Sequence, residues 1–129
     1  MKTSLKTSVI AHIGSLALAA AAVAAPAETV ESAIGPVLAA EANGMTLYTF
    51  RQDTPGTSNC YDGCATSWPP FLAADGALAE AGFGLVTRRD GTLQWADAAG
   101  MPLYFWAGDA APGDATGDGV GGVWDVARP

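Results

Sequence analysis

The chain has 129 residues, of which 13 are Asp or Glu and only 6 are Lys or Arg, so its net charge is −7 at pH 7. A protein of this charge is repelled by nucleic acid and by anionic lipid surfaces, which excludes both as expected partners.

The N-terminal segment has the composition of a signal peptide. Two lysines precede an almost wholly apolar run at 9–25, and Ala25-Pro26-Ala27 fits the small-residue rule for a cleavage site. We expect cleavage after Ala27, and cleavage after Ala25 is the alternative. A retained membrane anchor is less favoured, because a run of about 17 residues is at the short edge of what spans a bilayer.

Cleavage after Ala27 leaves residues 28–129, a length that suits one domain with a single core. This part holds every carboxylate and no histidine, since His12 is the only one in the chain. Catalytic triads, Cys-His dyads and histidine-ligated metals are thereby excluded. We predict a periplasmic or secreted protein with no stable membrane insertion after cleavage.

One stretch of the chain occurs twice. The segment NGMTLYTFRQD at 43–53 returns 56 residues later as AGMPLYFWAGD at 99–109. Eight pairs are identical at that offset: Gly44/Gly100, Met45/Met101, Leu47/Leu103, Tyr48/Tyr104, Asp53/Asp109, Asp62/Asp118, Gly63/Gly119 and Trp68/Trp124. A fixed period marks a repeated structural unit. We predict two pseudo-symmetric repeats, at about 34–72 and 85–126, which pack face to face.

In the first repeat we expect an extended lead-in at 28–34 and a short apolar run at 36–41. Asn43-Gly44 follows and is typical of a type I′ hairpin turn, because both residues tolerate a positive φ. The strand formers of 45–50 then predict a return strand with both faces covered.

The end of the first repeat is predicted to be irregular. Asp53 and Pro55-Gly56 stop the strand in a tight turn. Residues 59–67 form a compact loop with both cysteines, and 73–84 is an Ala- and Gly-rich link with one helical turn.

The second repeat is predicted to follow in seven segments: strand 86–89, turn Asp90-Gly91, strand 92–96, turn Ala99-Gly100, strand 101–106, loop 109–122 and strand 123–126. No stretch after Ala27 has a helical period. Short strands separated by frequent turns predict an all-β fold, either a small sandwich or a partly open barrel.

Both copies contain the pattern Y-x-[FWY]-x-x-D, as Tyr48, Phe50, Asp53 and as Tyr104, Trp106, Asp109. With NCYDGCATSWPPF at 59–71, TRRDGTLQW at 87–95 and PGDATGDGVGGVW at 112–124, the chain resembles a secreted-repeat family of predicted bacterial lipoproteins described by that motif. The resemblance covers about 34–126 and implies an exported bacterial protein of unknown function, with no established ligand or catalytic residue. The chain lacks the N-terminal anchoring cysteine that the lipoprotein label implies.

Cys60 and Cys64 lie four residues apart in a loop of an exported protein. Such a pair usually forms a structural disulfide, which is the interpretation we favour. The second repeat has Thr116 and Val120 at the matching positions, so the shared fold does not need the bridge. A thiol-redox pair is the first alternative.

Two metals are alternatives to the expected absence of a cofactor. A Cu(I) site would use Cys60 and Cys64 with Met45 or Met101 as a soft ligand. A Ca²⁺ site would use the carboxylates of the glycine-rich loop, which are Asp109, Asp114, Asp118 and Asp125. The spacing of these carboxylates matches no EF-hand, so we favour an acidic surface loop.

Asp53 and Asp109 are related by the repeat, and a pseudo-dyad could bring their carboxylates together. Paired carboxylates can catalyse hydrolysis. We favour the simpler role in which each caps its own turn by accepting hydrogen bonds from backbone amides.

The sequence therefore predicts a non-enzymatic exported module that binds an unknown small molecule or envelope protein. Catalysis is not expected, because no nucleophile, base and orienting group are assembled. One or two aromatic residues on a surface groove could bind a ring-shaped or sugar ligand. A copper or thiol-redox accessory protein that uses Cys60 and Cys64 is the alternative.

Overall fold

The computed structural model of the chain describes residues 25–129. In this part seven strands occur in chain order: β1 (Ala27–Ser32), β2 (Gly35–Ala40), β3 (Tyr48–Phe50), β4 (Leu72–Ala73), β5 (Gly84–Thr87), β6 (Leu93–Ala96) and β7 (Trp124–Val126). One short helix, α1 (Gly63–Ser67), carries the second cysteine, and a 3₁₀ turn (Val120–Gly122) precedes β7. The strands form three small antiparallel sheets, β1-β2, β3-β7 and β4-β6-β5.

The two repeats meet at the tyrosines of the duplicated motif. The amide of Tyr48 donates to the carbonyl oxygen of Tyr104 at 2.8 Å, and the amide of Tyr104 donates to that of Tyr48 at 3.0 Å. This reciprocal pair places a pseudo-twofold axis between the two residues. Leu47 and Leu103, which precede them, are both fully buried.

Each repeat is completed by the end of the other. Backbone amides and carbonyls of Leu38, Leu47 and Ala127 form a closed ring of three hydrogen bonds, each 2.8 or 2.9 Å long. Trp95, Leu103 and Phe71 form the equivalent ring, with every bond 2.9 Å long. Ala127 closes the ring of the first repeat and Phe71 closes that of the second, so the C-terminal segments are exchanged between the repeats.

Four aromatic rings stack through the centre of the molecule in what we call the aromatic column. Neighbouring centroids along Phe50, Trp124, Trp68 and Trp106 are 4.2, 3.9 and 4.2 Å apart. The two central indoles are the duplicated tryptophans, and their planes differ by only 4°. Tyr48 meets Trp68 edge-on, and Tyr104 meets Trp124 in the same way.

The prediction of an all-β fold is confirmed, but the structure does not confirm a sandwich or barrel. Residues 25–129 form three separate small sheets, which isolated bridges connect, and no closed barrel. The strands are two to six residues long, because glycine- and proline-rich turns interrupt them.

Both faces of the predicted return strand are covered, as expected. Leu47 packs into one core cluster, while Tyr48 and Phe50 pack into the other. The regular strand is shorter than predicted, since only Tyr48–Phe50 forms β3 and Thr46 makes an isolated bridge to Ala39.

Three local predictions are wrong. Residues 101–106 form no strand, because Pro102 has no amide to donate and Tyr104 bridges two different neighbours, Tyr48 and Pro70. Residues 73–84 contain no helical turn. The turn at Asn43-Gly44 is not type I′, since Gly44 has φ 73° but Asn43 does not have a positive φ; the Asn43 side chain instead accepts the Met45 amide at 2.9 Å.

The described fold begins before Glu28, so the expectation that residues up to Ala27 stand outside it is wrong at its last two positions. Ala27 is buried and pairs with Ala40, and the carbonyl of Pro26 accepts the Glu41 amide at 2.9 Å. The predicted signal peptide otherwise lies outside the described residues, and its cleavage stays a prediction. Between residues 25 and 129, no helix has the length and apolarity to cross a bilayer.

Candidate functional site

The motif Y-x-[FWY]-x-x-D joins the two repeats through side chains. The Tyr48 hydroxyl donates to Oδ2 of Asp109 at 2.6 Å, and the Tyr104 hydroxyl donates to Oδ2 of Asp53 at 2.7 Å. Each tyrosine thus bonds the aspartate of the other copy. We call these two contacts the tyrosine–aspartate clasps.

The second oxygen of each carboxylate has a local role. Oδ1 of Asp53 accepts the Asn59 amide at 2.7 Å, and Oδ1 of Asp109 accepts the Thr116 amide at 3.0 Å. Each aspartate therefore orders the backbone that follows its motif, in line with the favoured prediction. Each Oδ2 is bonded to a tyrosine of the other repeat rather than to the second carboxylate.

The clasps shift the acidities of their members. Burial, together with the hydrogen bond to Asp109, raises the pKa of Tyr48 above its usual range. Burial likewise raises the pKa of Tyr104, and its bond to Asp53 adds to the effect. Burial also raises the pKa of Asp53, against the opposing hydrogen bonds from Tyr104 and Asn59. Both hydroxyls are consequently held in the neutral, donating form.

Cys60 and Cys64 form a disulfide, as the favoured prediction had it. Cys60 is fully buried, and the Cys64 carbonyl accepts the Trp68 amide at 2.8 Å, so the bridged loop leads directly into the aromatic column. Thiolate chemistry requires reduction of this bond. The copper site with Met45 or Met101 and the redox pair stay predictions.

The carboxylates of the acidic loop, residues 109–122, accept hydrogen bonds from nearby backbone amides. Asp114 accepts the amides of Ala110 and Ala111, and Asp118 accepts that of Val126. The part of the chain that the structure describes contains no group of three His, Cys, Asp or Glu side chains arranged for a metal ion. The calcium hypothesis on Asp109, Asp114 and Asp118 stays a prediction.

A cleft of about 250 Å³ opens beside the last ring of the aromatic column, and we call it the aromatic cleft. Its lining combines apolar and polar residues: Asn43, Met45, Thr46, Pro69, Phe105, Trp106, Ala107 and Asp109. Trp106 and Phe105 are both half-buried. The motif thus contributes Trp106 and Asp109 to the cleft, while Tyr48 and Tyr104 lie in the core.

The chemistry of this cleft is not repeated on the other side of the pseudo-dyad. In the other repeat, the position of Ala107 is occupied by Arg51 and that of Pro69 by Asp125, each at an offset of 56 residues. These two form a bidentate ion pair with both contacts at 2.8 Å. The guanidinium holds the pKa of Asp125 below its usual value. The sister surface therefore carries a salt bridge where the cleft has apolar groups.

Sequence reasoning missed several of these residues. Phe105, Pro69 and Asn43 carried no indication of a site, and Met45 was singled out only as a copper ligand. A position-by-position comparison of the two copies could have indicated these residues. Phe105 is aligned with Thr49, and Ala107 is aligned with Arg51, so the chemistry of the two copies differs at these positions.

The geometry defines a class of protein, a duplicated all-β module whose two copies exchange their ends. A family described as a secreted repeat of unknown function matches residues 28–71 and 84–128, which is more than half of the chain. The protein belongs to this family, and the match confirms both the predicted resemblance and the two repeats. No curated protein and no solved structure matches the chain.

Proposed function

We propose that the protein is an exported, non-enzymatic binding module and that the aromatic cleft is its ligand site. One observation carries this proposal. Three of the four tryptophans, Trp68, Trp95 and Trp124, are at most 8% exposed, whereas Trp106 is partly exposed and lines a cleft. Concave sites with aromatic walls and a few polar groups are the usual form of small-molecule sites.

The contacts around Trp106 hold its ring in place before any ligand arrives. Its Nε1–H donates to the Thr116 hydroxyl at 3.1 Å, and its ring packs on Trp68. A methyl group on Gly108 would collide with Nε1, so the backbone lies close against the indole there. A preorganised ring lowers the entropy cost of binding.

The polar rim suggests the chemistry of the ligand. Asn43 uses its Oδ1 for the Met45 amide, and its Nδ2 has no acceptor among residues 25–129. Asp109 also lines the cleft and supplies carboxylate oxygens. A small ring-shaped molecule with hydroxyl groups, such as a sugar, would stack on the apolar wall and bond the rim.

The hydrogen bonding of the candidate catalytic groups supports a non-enzymatic role. Asp53 and Asp109 are each bonded to a tyrosine and to a backbone amide, so neither is placed as a free base. Ser58 lies 2.6 Å from the Tyr104 hydroxyl and accepts from Arg88. This supports binding over the alternative of a paired-aspartate hydrolase.

The test is a nuclear magnetic resonance titration of the cleaved protein with methyl glucoside, N-acetylglucosamine and phenol. We expect shifts confined to the Trp106 indole N–H and to the amides of Ala107 and residues 43–46. Met45→Ala should weaken binding, and Met101→Ala, its counterpart in the other repeat, should not. Equal effects of the two variants, or no shifts with any probe, would contradict the proposal.

A further inference from the structure

A second pocket of about 210 Å³ contains an arginine that has no carboxylate partner. Arg88 is only 7% exposed and donates to three neutral acceptors, the Ser58 hydroxyl, the Gln94 side-chain oxygen and the Cys60 carbonyl, at 3.1, 2.7 and 2.9 Å. The only ion pair within 4.0 Å among residues 25–129 is Arg51–Asp125. Buried charges are usually paired directly, but Asp53 and Asp90, the carboxylates on which Arg88 acts electrostatically, make no ion pair with it within 4.0 Å.

The equivalent hairpin of the first repeat has no cation at this position. The hairpin β5–β6 pairs Val86 with Gln94, and the equivalent hairpin β1–β2 pairs Val30 with Val37. Gln94 therefore takes the place of Val37, and both are fully buried. Arg88 lies two residues after Val86, and the corresponding residue of the other hairpin is Ser32. One repeat builds this corner from apolar and small residues, and the other builds it around a charge.

The pocket beside Arg88 is polar and carries a second cation. Thr57, Ser58, Asn59, Tyr61, Arg88 and Arg89 line it. The guanidinium carbons of Arg88 and Arg89 lie 4.3 and 4.0 Å from the centroid of the Tyr61 ring, so each makes a cation–π contact with it. The pocket therefore contains two cationic side chains packed on one aromatic ring.

Arg88 has donors to spare. Of its five N–H groups, three are used by Ser58, Gln94 and Cys60, and its Nε makes no hydrogen bond to residues 25–129. Every fully buried side-chain nitrogen and oxygen in this part has a partner. The Nε atom is therefore not completely enclosed, and its residue lines the pocket.

We propose that this pocket binds a small molecule through an oxyanion, a carboxylate or phosphate group, held by Arg88 and Arg89. Guanidinium groups match both anions geometrically and bind them with charge-assisted hydrogen bonds. The rest of the protein is strongly acidic, so a bound anion would be held by this local geometry and not by net charge. The pocket shares no lining residue with the aromatic cleft, and the inference is independent of the proposed function.

The experiment titrates the mature protein, as it is purified after export, with sodium phosphate and, separately, sodium acetate, at constant ionic strength set with sodium chloride. Saturable shifts are expected at the Arg88 Nε–H and at the amides of Asn59 and Arg89. Arg89→Gln should weaken the affinity about tenfold through the loss of one charge-assisted contact. Arg51→Gln should leave it unchanged, because Arg51 is already bonded to Asp125. The stronger of the two probes identifies the anion.

Two results would overturn the inference. The first is the absence of saturable shifts with both probes. The second is an equal loss of affinity in Arg51→Gln and Arg89→Gln, which would show a response to overall charge. Arg88→Gln should abolish the shifts at Asn59, and its folding is checked by circular dichroism. Because this variant also removes contacts to the Cys60 loop, the result for the exposed Arg89 decides between the outcomes.

Discussion

At the scale of single residues, the two tyrosine–aspartate clasps are similar in geometry but differ in burial. Asp53 is 5% exposed, whereas Asp109 is half-buried. A buried carboxylate that loses its donor keeps its full desolvation cost. The clasp of Tyr104 and Asp53 should therefore contribute more to stability than the clasp of Tyr48 and Asp109.

Tyr104→Phe is expected to lower the free energy of unfolding by about 2–3 kcal/mol, and Tyr48→Phe by about 1–2 kcal/mol, because each leaves a carboxylate without its hydroxyl donor. Urea unfolding measures both values. Tyr61→Phe is the control, since its hydroxyl only accepts the Arg89 amide at an exposed turn. Equal losses in all three variants would contradict the role of the clasps.

The raised tyrosine pKa values predict a loss of stability at alkaline pH. The ordinary pKa is 10.0, and the pKa values of Tyr48 and Tyr104 in the folded protein are higher. The unfolded chain therefore loses these protons first, so stability is complete below about pH 10 and falls as the pH rises further. Unfolding free energies from about pH 8 to pH 12 should show this fall. In the double variant Tyr48→Phe, Tyr104→Phe the fall should be smaller.

The disulfide is expected to stabilise the fold without being required for it. Replacing both Cys60 and Cys64 by serine should cost about 2 kcal/mol, because the closed loop is small. The second repeat builds the same unit without a bridge, so the variant should still unfold cooperatively in urea. Titration of the untreated protein with a thiol reagent should find no free thiol. An unfolded variant would show that the bridge does more than order one loop.

At the scale of elements, the loop of 109–122 closes onto the aromatic column. A methyl group on Gly117 would lie 2.8 Å from Trp68 and 2.9 Å from Tyr48. Gly117→Ala should therefore destabilise the protein by about 1–3 kcal/mol through overpacking. Gly63→Ala is the matched control, because Gly63 begins α1 and its added carbon would meet no atom within 4 Å beyond its chain neighbours and its own helix backbone. Thermal unfolding of the two variants distinguishes this packing from a general intolerance of alanine.

The sequence predicted the elements that depend on neighbouring residues. The turn at Asp90-Gly91 and the strand that follows it were found because both are local; Gly91 has φ 88°, and the Arg88 amide bonds the Thr92 carbonyl across it. The pairing of β3 with β7 could not be predicted, because paired residues of these strands are 74 or more positions apart and no pattern in either strand indicates which strand it pairs with. Residues 101–106 resembled a strand, but their partners lie on different segments.

The candidate site was predictable only in part, for the same reason. The duplicated motif identified Tyr48, Asp53, Tyr104 and Asp109 as important. Whether each aspartate bonds its own turn or the other repeat depends on the pseudo-dyad, and the structure shows that it does both. The partial exposure of Trp106 depends on which residues cover it in the fold, and the spacing of residues along the chain does not predict those contacts.

At the scale of the whole molecule, the exchanged ends make the two repeats interdependent. The ring that includes Leu47 requires Ala127, and β3 requires β7. The stacked pair Trp68–Trp124 supplies one indole from each copy. A single repeat therefore lacks a strand, a ring of hydrogen bonds and half of its aromatic core. We therefore expect the two repeats to unfold as one cooperative unit and not as two domains in tandem.

The peptide of residues 28–82 should accordingly be unfolded by circular dichroism, because it lacks the segment that completes its core. The link between the repeats is exposed, with Leu78 80% accessible, so the chain can be divided there. Fragments 26–77 and 78–129 should be unfolded alone and fold on mixing, with one copy of each and a melting temperature that rises with concentration. Trp68→Ala in the first fragment should prevent assembly, whereas Leu78→Ala in the second should not. A cooperative melt from either fragment alone would show that a single repeat is a complete fold.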